Sequence, residues 1–188
     1  MRYLPNGKQM SEADAHTIHE IGIPSLVLME RAALQIVETM HKKNISTEKS
    51  LIVCGSGNNG GDGFAVARLL TEQGKHADVL FAGKEASLSE ECRCQKQIVE
   101  NMGISVFTEF PDEEYTVIID AVFGVGLCRE ITGHYKDVID WMNLQDAEKV
   151  AVDIPSGICA ATGKILGTAF RADLTAVSYT HLTLPTTP

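Results

Sequence analysis

Residues 51–63 read Leu51-Ile52-Val53-Cys54-Gly55-Ser56-Gly57-Asn58-Asn59-Gly60-Gly61-Asp62-Gly63, and they decide the fold. Four apolar residues run straight into five glycines within nine positions, and a helical pattern then extends from Phe64 to about Gln73. A buried strand, a glycine-rich turn and a helix in that order open a strand–helix–strand unit. Further apolar runs at 78–82, 104–107, 117–119 and 150–152 read as buried strands, and 172–177 offers one more. Helices are predicted between them over 88–102 and 135–143, with Gly74 and Gly103 placed as C-terminal stops. The alternation predicts an α/β domain: a mostly parallel sheet with helices on both faces. Upstream, Ser11 with Asp14 reads as a capping box for a short helix carrying Ala15 and Ile18. Pro24-Ser25 opens a second helix in which Met29, Ala32, Ala33, Ile36, Val37 and Met40 recur at helical spacing, ending in His41-Lys42-Lys43-Asn44.

Composition narrows the function. The 188 residues are enough for one core, and no repeat or linker divides them. Lys+Arg of 16 against Asp+Glu of 25 leaves a net charge of −9, which disfavours nucleic acid and anionic membrane surfaces as partners. No apolar run reaches the ~18 residues of a membrane span, and the N-terminus lacks the apolar region of a secretory signal. The five cysteines include no C-x-x-C pair, so they are expected to be reduced and mostly in the core, in a cytoplasmic protein. His16 and His19 share a helix face without further ligands, and Cys92 and Cys94 face opposite sides of a helix. Residues 178–188, rich in Thr and Pro and uncharged, are expected to be a poorly ordered tail outside the natural domain of residues 1–177.

The chemistry-bearing residues fall at strand ends. In a parallel sheet all strand C-termini lie on one edge, which gathers Asn58, Asn59 and Asp62 with Asp120, Asp153 and Ser156. Hard oxygen donors without a His or Cys cluster suit an alkali or alkaline-earth cation rather than zinc or copper. Arg129, beyond Gly124 and Gly126, suits a ligand phosphate. Burial of an Asp there would raise its pKa towards the acid/base range, and a neighbouring cation would oppose that shift. Asp62 at the start of the helix would repel a pyrophosphate, and no clear acid ends the second strand, so an ordinary NAD-dependent dehydrogenase is disfavoured. Glu30-Arg31 interrupts the otherwise apolar surface of the second helix.

Leu28-Met29-Glu30-Arg31-Ala32-Ala33, the 55–63 segment, Asp120-Ala121-Val122-Phe123-Gly124 with Arg129 and Gly133, and Asp153-Ile154-Pro155-Ser156-Gly157 together resemble the YjeF N-terminal, or NAD(P)H-hydrate epimerase, family over about residues 8–176. That family includes the apolipoprotein A-I binding proteins. The resemblance implies a Rossmann-like three-layer αβα fold preceded by N-terminal helices. It also implies interconversion of the R and S forms of hydrated NADH and NADPH (NADHX and NADPHX) in nicotinamide nucleotide repair. By the same resemblance Asn58, Asn59, Gly60, Gly61 and Asp62, the loop Gly124, Val125, Gly126, Leu127, Cys128, Arg129 and Glu130, and Tyr135 would hold the substrate. Asn59, Asp120 and Ser156 would hold one K+ per subunit, and Asp153 would face the hydrated ring as acid/base. An ADP- or ATP-dependent dehydratase, in some relatives fused to this domain, would use the product, and a homodimer is expected. Relatives continue past residue 176 to a lysine-containing segment and a closing helix, so this chain is expected to be shortened. The alternative reading is a non-catalytic Rossmann-like module for nucleotide binding or protein interaction.

Overall fold

A computed structural model describes the backbone of residues 7–177 and the side chains from residue 12 onward. The expected tail, 178–188, lies outside the described residues. Among the described residues six strands form one sheet: β1 (Lys49–Cys54), β2 (His76–Phe81), β3 (Val106–Phe107), β4 (Val117–Ala121), β5 (Glu148–Val152) and β6 (Leu174–Ala176). Their order is β3-β2-β1-β4-β5-β6 and every pair is parallel. The order reverses between β1 and β4, so the crevice at their C-terminal ends is the position where such sheets bind ligands.

Strand alternation divides the interior into two cores. Ile52, Cys54, Val79, Ile119 and Val150 face helices α2 (Ser25–Lys42), α3 (Asn58–Glu72) and α4 (Glu90–Asn101). Leu51, Val53, Leu80, Ile118 and Ala151 face α5 (His134–Leu144) through Val138, Ile139 and Met142. The result is the expected three-layer α/β arrangement. Phe64, fully buried at the first full turns of α3, meets Phe81 at 6.1 Å between ring centroids.

Four sequence expectations change in detail. Helix α1 (Gly7–His16) runs through Ser11, so Ser11 is an internal position and not the cap. It continues as one π-helical stretch, Thr17–Ile21, that ends at Gly22 in the left-handed region. Helix α3 begins at Asn58, so the Asn-Asn-Gly-Gly-Asp-Gly segment forms its first turns and not a loop before it. Only Cys54 and Cys92 are buried; Cys94 and Cys159 are half-buried and Cys128 is exposed, because it sits on the ligand-facing loop after β4. Among the described residues no helix is long and apolar enough to cross a membrane.

Candidate functional site

A cleft of about 1190 Å³ opens over the C-terminal ends of β1, β4 and β5. Its walls are α1 with the π-helical stretch, α2, the start of α3 and the loop after β4, and Asp153 lies on its surface. The volume exceeds the ~300–1,000 Å³ of common small-molecule sites and suits a long ligand.

The turn from β1 into α3 presents Ser56, Gly57, Asn58 and Asn59 to this cleft. Gly57 caps α3, and the first intrahelical bond is donated by Gly61 N to Gly57 O at 3.1 Å. The amides of Asn58, Asn59 and Gly60 therefore have no acceptor within the helix, which makes this end a place for an anion. The turn is fixed from behind by Ser89 N, which donates to Ser56 O at 2.9 Å, and by the Cys92 thiol on Gly55 O.

Glycine is required here for close approach. A Cβ at Gly55 would stand 2.1 Å from Val122 O, and one at Gly60 would stand 2.0 Å from Gly55 O. The helix start can sit directly on the strand ends because neither residue carries a side chain. Gly57, by contrast, faces open space. Most of the glycine cluster thus supports the cleft from within.

The acidic groups occupy distinct environments. Asp120 is fully buried near the end of β4, where Ser156 donates to it twice, from N to Oδ2 at 2.7 Å and from Oγ to Oδ1 at 2.6 Å. Val122 N adds a bond to Oδ1 at 3.2 Å, and Ser156 Oγ accepts from Phe123 N at 2.9 Å. Burial pushes the Asp120 carboxyl up to about 6 in spite of these donors, and no cationic side chain pairs with it among the described residues. Asp153 follows β5 with φ 67°, in the left-handed region that a non-glycine residue rarely adopts, and its N donates to Ala176 O at 2.9 Å. A methyl group placed on Gly124 would lie 3.3 Å from Asp153 Oδ2 and 3.4 Å from the Asn59 side chain, so these two groups flank the same spot. Asp62, one turn into α3, is held well above the usual carboxylate range by burial, then by the charges of Asp153 and Asp14. That direction favours the neutral form and so weakens the repulsion towards a phosphate that its sequence position implied, and Asp62 stands past the helix end where an anion would sit.

Of the expected ligand-binding residues, Asn58, Asn59, Asp62, Gly124, Val125, Gly126, Leu127, Cys128, Arg129 and Asp153 line the cleft. Gly60 and Gly61 stand behind its wall, the latter against Met29. Glu130 is exposed beyond the loop, and Tyr135 packs on Phe123 with ring centroids 4.8 Å apart. Of the expected cation ligands, Asp120 and Ser156 bond each other, while Asn59 comes in from α3 and its Nδ2 is buried without a partner. Rotated by half a turn, that amide presents its oxygen instead, and a buried carboxylate without a counter-ion completes an oxygen donor set that fits a monovalent cation. Sequence reading missed Asp14, Ser25, Ser56 and Glu91 as cleft residues. Asp14 and Ser25 lie outside the Leu28–Ala33 segment, the one stretch of the α1–α2 wall that the sequence singled out, and only the packing of that wall brings them to the site.

Residues 25–183 match the family described as YjeF-related protein N-terminus. The NAD(P)H-hydrate epimerase of Oenococcus oeni is 42% identical over 182 residues, covering 95% of this chain and 87% of its own length. The proteins of the same name from Weissella koreensis and Limosilactobacillus reuteri are 42% and 44% identical, covering 89% and 92% of this chain and 76% and 82% of their own. A crystal structure of yeast ynu0 superposes with a TM-score of 0.80 over 93% of this chain and 79% of that one; at 20% identity it shares the fold.

Proposed function

The chain belongs to the family of YjeF-related protein N-termini, and we propose from this that it is an NAD(P)H-hydrate epimerase, an isomerase that interconverts the R and S forms of NADHX and NADPHX. Relatives of that name align over nearly the whole chain. The structural observation that carries the reading is the placement of Asp153. A residue held at φ 67°, on a cleft that also receives a free helix N-terminus, is a strained position of the kind found where chemistry is done.

The residues divide the work. The amides at the start of α3 and the guanidinium of Arg129 bind the dinucleotide's phosphates. The loop from Gly124 to Glu130 covers the ribose, with Gly124 keeping the space beside Asp153 and Asn59 open for the hydrated ring. Inversion at C6 requires a bond at that carbon to break and re-form on the opposite face, with a proton delivered to the departing atom and then recovered. Asp153 is the group that moves this proton. Asp62 interacts electrostatically with Asp153, and this charge, after burial, raises the Asp62 carboxyl.

Asn59, Asp120 and Ser156 would hold a K+ ion, which supplies a fixed positive charge at the end of β4 beside the binding turn. Asp120 and Ser156 also tie the segments after β4 and β5 together, which keeps Phe123 and Asp153 in register. The S product would pass to an ADP- or ATP-dependent dehydratase, and a homodimer is the assembly this reading expects.

The test supplies R-NADPHX together with a dehydratase that accepts only the S form. The protein should accelerate loss of the R form well beyond its spontaneous rate. No acceleration at any protein concentration would remove the epimerase reading.

A further inference from the structure

Adjacent residues of α2 take opposite tasks. Glu30 turns to α3 and pairs with Arg68, whose side chain is only 13% exposed and whose guanidinium is also held by Glu72 at 2.7 Å. Arg31 lines the cleft with Leu28, Ala32 and Gln35, a set spaced as one helical stripe. It is exposed and has no ion-pair partner among the described residues. Arg68, Lys42, Lys49, Lys75, Lys96 and Lys136 are tied to carboxylates, whereas Arg93 and Arg171, like Arg31, have no ion pair among the described residues; what distinguishes Arg31 from these two is its place on the cleft. Arg129 is the other guanidinium on the cleft, and it too has no ion-pair partner among the described residues.

The charge balance of the cleft makes an unpaired arginine there informative. Asp14, Glu38, Asp62, Glu91 and Asp153 line the same surface, in a protein of net charge −9. A ligand with several phosphates is retained there only where the acids are occupied and cations are free. Glu38 pairs with Lys42, and Glu91 accepts from Ser25 Oγ at 2.6 Å. An arginine with a free planar fork is the group best matched to phosphate oxygens.

We propose that Arg31 is a phosphate-binding residue of the substrate cleft, acting with Arg129 and the start of α3. The proposal rests on the epimerase reading for the identity of the ligand, a dinucleotide with a diphosphate and, in its phosphorylated form, a third phosphate on the adenosine ribose. The shared chemistry is a phosphate group, and two stable fragments separate its sources. ADP-ribose carries only the diphosphate, whereas 2′-phospho-ADP-ribose carries both.

Calorimetric binding of the two fragments to the wild-type chain, Arg31→Ala and Arg31→Lys is the experiment, with KM and kcat for NADHX and NADPHX beside it. Arg31→Ala should weaken binding roughly tenfold to a hundredfold and raise KM with kcat little changed, and Arg31→Lys should recover part of the loss. Equal weakening for both fragments assigns Arg31 to the diphosphate, and weakening confined to 2′-phospho-ADP-ribose assigns it to the third phosphate. Unchanged affinity for both fragments, or no binding of either by the wild-type chain, overturns the proposal. A wild-type chain that binds the fragments in an Arg31-dependent way but does not epimerise would retain the phosphate site and reject the epimerase reading.

Discussion

Asp120 is the group through which potassium should reach the stability of the fold. A carboxyl that ionises at about 6 when folded and at 3.8 when unfolded is about 3 kcal/mol harder to ionise in the native protein. The native state binds this proton more tightly, so the associated stability is complete below pH 3.8 and is lost as pH rises through about 6. At pH 7 the folded chain therefore carries an ionised carboxylate that is 0% exposed and lacks a cationic side chain. A K+ ion at Asn59, Asp120 and Ser156 favours the charged form and offsets up to that ~3 kcal/mol. For a domain of this size each kcal/mol moves Tm by ~2–4 °C. Exchanging choline chloride for KCl at constant ionic strength should then raise Tm at pH 7 by up to roughly 6–12 °C, and by much less at pH 5. Asp120→Asn should abolish the response: its amide can face Ser156 Oγ, whose hydroxyl can turn to Phe123 O, 3.4 Å away. Calorimetric melts in the two salts at both pH values measure this. Equal melting in choline and potassium at pH 7, or an Asn variant that responds like the wild type, would refute the reasoning.

Further expectations concern the reacting group, the backbone and the thiols. Asp153→Asn keeps the shape and tolerates the left-handed conformation, so kcat should fall by ~10²–10⁴ with Tm nearly unchanged, read by turnover and thermal melts. Gly60→Ala sets a methyl group 2.0 Å from Gly55 O, a backbone atom that cannot yield, and should cost at least ~3 kcal/mol in urea unfolding; Gly57→Ala, facing open space, should cost less than about 1 kcal/mol. Iodoacetamide should modify exposed Cys128 in the native protein and spare Cys54 and Cys92, whose thiols burial pushes up, the second to about 12. Saturating ADP-ribose should slow labelling of Cys128, as peptide mass mapping would record.

The order of elements was legible because buried parallel strands are short apolar runs and Gly74 and Gly103 stop helices with positive φ. The convergence of Asn59, Asp120, Asp153 and Ser156 followed from one rule, that parallel strands end on one edge. The start of α3 was not legible. Asn and Gly have poor helix propensity, and the segment 58–63 is helical because Met29 and Cys92 pack against Gly61 and Ala121 against Gly63, contacts distant in sequence. The same packing explains why the glycines looked like a ligand loop although most of them contact protein. The left-handed backbone of Asp153 and the half-burial of Asp62 beside Asp14 and Asp153 arise from residues far apart in sequence, and no local pattern announces either. Arg31 was visible as an anomaly in an apolar helix surface, but its exposure to the cleft depends on how α2 lies over α3.

Equilibration of stereochemically pure R-NADHX, followed by chromatographic separation of the two epimers with no dehydratase present, tests the central claim most directly. The account predicts that catalytic amounts of the wild-type chain bring R and S to their equilibrium mixture far faster than buffer does, and that Asp153→Asn does not. Equilibration at the buffer rate with the wild-type chain, or at the wild-type rate with Asp153→Asn, would contradict it.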